Sequence, residues 1–377
     1  MKLALEKNLF LKALSHGQSV VEKKTTIPIL SHVLLRASDQ GLEITSTDMD
    51  MALIETIPAQ VMIPGSTCLS AHLAYEIVKK LNDQTLIELE LNSEKGQLII
   101  VSGRSRFELP CLPEEDFPQL THGELSHYFN LPAPVLKHLI ETTRFAMSAE
   151  ETRYHLNGIC FHTVEKENTT ALRAAATDMH RLACAECDMP EGALGMPEII
   201  IGRKTIQEVI KLLDEADQPV QVGVSNNRVQ FSFNGSRMKA MLSARLIDGA
   251  FPDYMQALTV QFDKTLIVPT KSFAEAVDRV GTVVNDKIRA IKVRLTENMA
   301  SLSAVSSDFG SAQEELDVDY TYPDSLEICF NVRYLTDIAQ QISTDEMEVL
   351  LIDEESSVLI RPLGNPYVTF ILMPMRV

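Results

Sequence analysis

The chain has 377 residues, 45% hydrophobic and 23% charged, which is globular composition with apolar material for two or three domains. Its 34 Lys and Arg face 52 Asp and Glu, a formal charge of -18; this excludes a uniformly basic protein but not a basic face on an acidic body. No run approaches the ~20 apolar residues of a membrane helix, and MKLALEKNLFLKAL lacks a secretory apolar core and cleavage site, so a soluble, cytoplasmic chain with no membrane partner is expected.

The first predicted element is an amphipathic helix with Leu9, Phe10, Ala13 and Leu14 on one face. An alternating strand, Leu42–Thr47, ends in Thr47-Asp48. A second helix carries Leu73, Ile77 and Leu81, and the strand Leu86–Leu91 follows. Ser102–Phe107 reads as a polar turn, and Phe117-Pro118 in the segment 115–120 as a linker.

The order then recurs. A helix with Val135, Leu136, Leu139 and Ile140 precedes a strand ending in Thr177-Asp178. A helix with Ile206, Val209, Ile210 and Leu213 precedes the strand Arg228–Phe233, and Phe251-Pro252 closes the segment 249–254. A third round has Phe273, Ala276, Val277 and Val280, then Ser307-Asp308, then Leu335, Ile338 and Ile342. The three aspartates stand 130 residues apart, as 178 − 48 and 308 − 178. A fixed period of this size means repeated structural units. The expected fold class is α+β, with three similar domains at 1–126, 127–257 and 258–377, each of two helices packed on antiparallel sheets.

Catalytic signatures are missing: there is no GxxxxGK[ST], GxGxxG, HExxH or GxSxG. Asp178, His180 and Arg181 could start a hydrolase hypothesis, but no nucleophile accompanies them. The six cysteines are scattered, and Cys184-x-x-Cys187 has no second pair to complete a zinc site. No cofactor or metal is expected, and a scaffold fits three equal repeats better than an enzyme does. A repeat-built adaptor that binds only proteins is the alternative from the residues alone.

Several segments together resemble the bacterial DNA polymerase III beta subunit family, the sliding clamps. They are Thr26–Leu30, Ser102–Phe107, Asn157-Gly158, Thr177–Leu182, Gly249–Tyr254 and the terminal Met373–Val377. The resemblance runs the length of the chain. It implies a non-catalytic processivity factor, a head-to-tail homodimer forming a six-domain ring around double-stranded DNA. The implied partners are the polymerase III alpha subunit, the clamp loader delta subunit, and other polymerases and repair factors with clamp-binding peptides.

A ring held by topology needs only weak phosphate contacts. Basic residues on the predicted helices are candidates to line it: Lys12, Lys79, Lys80, Lys137, Arg144, Arg203, Lys204, Lys211 and Arg333. The resemblance adds Lys24 and Tyr154 and supports Arg203 and Lys204 as DNA contacts. His72, His155 and Glu150 depart from the family pattern there. It implies a hydrophobic peptide pocket of Leu156, Thr177, His180, Arg181, Leu182, Pro252, Ser357, Met373, Pro374, Met375 and Arg376, with Gln256 and Ala257 departing at its edge. It implies a dimer contact of Phe107 and Leu109 against Val283, with Arg104 and Arg106 facing Glu314 and Glu315.

Overall fold

A computed structural model describes residues 1–23, 25–83, 86–120, 123–166, 169–235, 238–284 and 289–376. Its helices are α1 (Lys7–Val20), α2 (Ala71–Lys80), α3 (Ala133–Arg144), α4 (Arg203–Leu213), the short α5 (Met255–Leu258), α6 (Thr270–Gly281) and α7 (Val332–Ala339). None of these is long and apolar enough to cross a membrane.

Apolar spacing locates the buried faces of most of them. Phe10, Ala13 and Leu14 of α1 are buried, as are all four expected residues of α6. Within α2 the buried residues are Ala71, Ala74 and Val78; of the expected stripe, Leu81 just past the helix is buried, Ile77 is half-buried against the same core and Leu73 is exposed. Small side chains let this helix lie close to its neighbours, a preference that weighting by apolar size does not find. Helix α7 ends at Ala339, so Ile342 follows it, though still buried. Asn331 starts α7 by accepting hydrogen bonds from the amides of Arg333 and Tyr334.

The chain divides into two compact units. The first comprises Met1–Lys137 and Met189–Asp248. Among the described residues thirteen of its strands form one antiparallel run in which Met51–Ile57 of the first repeat pairs with Lys239–Arg245 of the second. Helix α1 packs on this run closely enough that a Cβ on Gly17 would meet Val33 Cγ1 at 3.1 Å. The core beneath gathers Leu3, Phe10, Leu14, Leu35, Leu42 and Ile44.

The second unit comprises His138–Asp188 and Gly249–Val377. Here Arg181–Asp188 of the second repeat pairs with Val368–Leu372 of the third. The middle repeat thus lends one sheet to each neighbour, which covers strand edges that would otherwise be open. A separate four-stranded sheet, with Gly310–Asp317 at its end, carries α6 and α7.

The recurring Thr/Ser-Asp is a hairpin device. Strands Gly41–Thr47 and Met51–Ile57 are joined by residues 48–50, and Thr170–Thr177 and Arg181–Asp188 by residues 178–180. In the first loop Thr47 Oγ1 donates to the Met51 carbonyl at 2.8 Å and accepts from the Met49 amide. Asp48 accepts from the amides of Asp50 and Met51. The second loop repeats every one of these bonds through Thr177 and Asp178. Both place a methionine, Met49 or Met179, at positive φ.

The third hairpin corrects the expected period. Its strands are Met299–Ser306 and Gly310–Asp317, so Ser306 takes the threonine's place, a step of 129 (306 − 177) where the first was 130 (177 − 47). Asp308 lies one position late and instead donates its amide to Ser306 Oγ.

Candidate functional site

The second hairpin carries a guanidinium with every side of it engaged. Arg181 is 8% exposed. It donates to Asp178 at 3.1 Å, to Asp337 at 2.6 Å and to the Phe145 carbonyl at 2.8 Å. Its plane lies between two rings, 4.3 Å from the Tyr334 centroid and 5.0 Å from that of Phe145. His180 is exposed and stacks on Tyr334, with centroids 6.2 Å apart. Arg181 therefore acts as a bracket joining the hairpin to α7.

The C-terminal tail passes beside this bracket. The ladder between Arg181–Asp188 and Val368–Leu372 ends at Leu372, and the Met373 amide then bonds to the His180 carbonyl at 2.9 Å. Two residues on, the Met375 amide bonds to the Cys329 carbonyl at 2.7 Å. The tail is pinned by its backbone while Met373 stays 48% exposed. Pro374 and Met375 are half-buried and Arg376 is exposed, 3.9 Å from Glu355. A buried terminal strand would have withdrawn these side chains; this one presents them. Flexible methionine beside a stacked aromatic pair suits capture of varied apolar peptide side chains.

The remaining expected pocket residues fall into two groups. Leu156, Thr177 and Leu182 are buried supports. Pro252 and Ser357 are half-buried. Gln256 and Ala257 sit on α5, Gln256 exposed. Sequence reading missed Tyr334, Asp337 and Phe145, and its only clue was the helix stripe at Leu335 and Ile338.

The basic residues are less free than expected. Helix α1 and helix α4 share a charged seam in the first unit. Lys12 meets Glu215 at 3.1 Å, and Ser19 donates to Glu208 at 2.6 Å. Lys211 also meets Glu208, at 2.8 Å. Lys204 donates to the Val20 carbonyl at 2.8 Å and pairs with Asp48. Beneath them His16 lies 3.1 Å from the buried Glu55 and 3.8 Å from Glu215. Burial pulls the His16 pKa down, but the hydrogen bond to Glu55 and the charges of Glu55, Glu215 and Glu208 outweigh it, and the pKa is raised.

Lys137 pairs with Asp214 at 2.7 Å and Lys80 with Glu76 at 3.7 Å, while Lys79 lies over the Tyr75 ring. Arg144, Arg333 and Tyr154 are exposed, and Arg203 is half-buried. Lys24 lies outside the described residues. His72 bonds Gln18, Glu150 pairs with Arg153, and His155 stands edge-on to Tyr154.

Two strands offer edges. Ser105–Leu112 pairs along one side with Gln97–Ser102 but meets Gly65–Ser70 only through Cys111 and Leu112. Gly310–Asp317 ends its sheet. Phe107 and Val283 are half-buried and Leu109 is buried. The expected arginine–glutamate pairing meets competition within the chain. Arg279 already holds Glu314 through two bonds of 3.0 and 2.6 Å, and Arg106 meets Glu108 at 3.1 Å.

The hydrolase arrangement does not form. Asp178 caps the hairpin through the His180 and Arg181 amides and holds the Arg181 guanidinium, while the His180 ring stacks on Tyr334. Cys184 and Cys187 share one strand three positions apart, so they face opposite sides of it. Burial pushes their thiols up, to about 12 and about 11. Among the described residues no group of three His, Cys, Asp or Glu could hold a metal ion.

The N-terminal, central and C-terminal domains of the DNA polymerase III beta subunit match residues 1–121, 130–253 and 255–376. The beta sliding clamp of Caulobacter vibrioides is 44% identical over 377 residues, covering all of both chains. That of Escherichia coli K12 is 33% identical over 378 residues, again covering all of both. Among solved structures, a Caulobacter crescentus beta sliding clamp with polyethylene glycol bound has a TM-score of 0.95 at 44% identity, over 100% of this chain and 99% of that one. A Bartonella birtlesii sliding clamp bound to griselimycin has a TM-score of 0.95 at 40% identity, with full coverage of both.

Proposed function

The chain belongs to the DNA polymerase III beta subunit family, the bacterial sliding clamps, and from that premise we propose how its parts work. Its function is to encircle duplex DNA without reading sequence and to tether the replicative polymerase. The observation that carries this is the run of three consecutive clamp-domain matches along the whole chain. The three domains span 1–126, 127–257 and 258–377. Two copies close head to tail into a six-domain ring, each copy's Ser105–Leu112 edge continuing the sheet that ends in Gly310–Asp317 of the other. Phe107, Leu109 and Val283 supply the apolar part. Arg104 and Arg106 face Glu314 and Glu315, where exposed pairs contribute about 0–1 kcal/mol each and set register.

DNA passes along Lys24, Lys79, Lys80, Lys137, Arg144, Tyr154, Arg203 and Lys204. The internal pairing of Lys80, Lys137 and Lys204 supports weak contact, because each must exchange a carboxylate for a phosphate. Weak contact is what sliding requires, since topology does the holding. The chain itself is non-catalytic and acts in the cytoplasm.

The hairpin and tail form the tether. A linear peptide from the polymerase alpha subunit, the loader delta subunit or another partner docks on Leu156, Thr177, His180, Arg181, Leu182, Pro252, Ser357 and Met373–Arg376. Deleting Met373–Val377 tests this. Polymerase binding is lost and the dimer persists. Unchanged polymerase affinity contradicts the assignment.

A further inference from the structure

The two linkers that close the first and second repeats end differently, and the difference leaves a space. In the second repeat Tyr254, the last residue of Gly249–Tyr254, is 9% exposed. Its hydroxyl meets His162 Nε2 at 2.5 Å and accepts from Arg173 at 3.5 Å. Its ring stands edge-on to Phe251, with centroids 6.0 Å apart.

The strand registers superpose the first repeat on this site. His162 lies opposite Arg173, and Arg36 lies opposite Glu43. Ala175 pairs Cys160 and Cys184, just as Thr45 pairs Leu34 and Ile54. In the linkers Phe117 matches Phe251, and Leu120 matches Tyr254. Leucine is shorter than tyrosine, and at this place the first repeat has a cleft of about 400 Å³. Its floor is Leu34, Thr45 and Ile54, its wall Phe117–Leu120, and Arg36 stands where His162 stands in the second repeat. That volume is ample for one aromatic side chain.

The rim sets the charge of the occupant. Arg36 is tied to Glu43 at 2.7 Å and to Glu114, and Glu115 also lines the cleft, so the carboxylates outnumber the cation. A second, smaller cleft lined by Met49 shares the wall Pro118–Leu120 and extends the surface along the first hairpin.

We propose that this cleft is a second docking site, taking a partner peptide that inserts a tyrosine side chain flanked by Lys or Arg. The ring fills the place Tyr254 fills one repeat later, the phenol oxygen meets Arg36, and the flanking cations meet Glu115 and its neighbours. The site is separate from the Thr177–Arg376 tether and stands whether or not the ring closes.

The test is a methyl NMR titration of the full chain, observing Leu34 and Ile54, with acetyl-Lys-Tyr-Lys-amide and its alanine counterpart. The tyrosine peptide gives saturable shifts at both methyl groups and the alanine peptide gives none. Leu120→Tyr, which closes the cleft from within, weakens binding by about tenfold or more. Absent saturation in the unsubstituted chain, equal shifts from the alanine peptide, or undiminished binding to folded Leu120→Tyr would each overturn the proposal.

Discussion

At the residue scale, two buried charged groups carry different loads. Arg181 joins Asp178, Asp337 and the Phe145 carbonyl, and stacks against Tyr334. Removing one member of such a set leaves the others desolvated and unpaired, so Arg181→Ala costs about 3 kcal/mol. Urea unfolding reads that cost, and peptide binding falls with it because His180 loses the ordered face of Tyr334. Arg181→Lys restores little, since an ammonium cannot reproduce the planar fork. His16 is a pH-dependent contributor. Its pKa in the folded chain is raised above 6.5, so the charged ring stabilises the fold fully below that value. The contribution fades as pH climbs through the raised folded pKa. His16→Gln flattens the pH dependence of the urea midpoint in that window, and an unchanged slope would contradict the pairing with Glu55, Glu215 and Glu208. Neither set was legible in the sequence. Arg181 and Asp337 stand far apart in the chain, and His16 and Glu55 lie on different elements, so only tertiary packing brings them together.

At the element scale, local chemistry was the legible part. The Thr-Asp pairs of the first two repeats do one job, closing a hairpin, and their side chains act within four residues. The same legibility holds for α6, whose apolar stripe is its buried face. It holds only in part at α2, where Leu81 and the small Ala71 and Ala74 face the core but Leu73 is exposed, and it fails at the third hairpin, where one residue fewer shifts Asp308 out of register. Asn331 offers a further local test. Its side chain caps α7 through the Arg333 and Tyr334 amides, and α7 positions the ring that holds Arg181. Asn331→Ala lowers stability by about 1 kcal/mol in urea unfolding. It also weakens peptide capture more than a cap on a remote helix would.

At the scale of the whole molecule, the repeats fixed the architecture and the resemblance supplied its purpose. The three-domain, α+β reading follows from periodicity, because units of equal length that cannot each bury their faces alone must stack on their neighbours. Periodicity did not tell that the middle repeat is shared between two compact units, since the ladders joining Met51–Ile57 to Lys239–Arg245 and Arg181–Asp188 to Val368–Leu372 are pairings across long separations. The net charge of -18 fits a protein that topology rather than tight phosphate contact retains on DNA. That claim is tested most directly by loading the protein onto closed circular DNA, raising salt until phosphate contacts are screened, and cutting the circle once. Retention on the circle followed by prompt release from the linear product is the predicted result. Equal loss from circular and linear DNA, or equal retention on both, would contradict an encircling clamp.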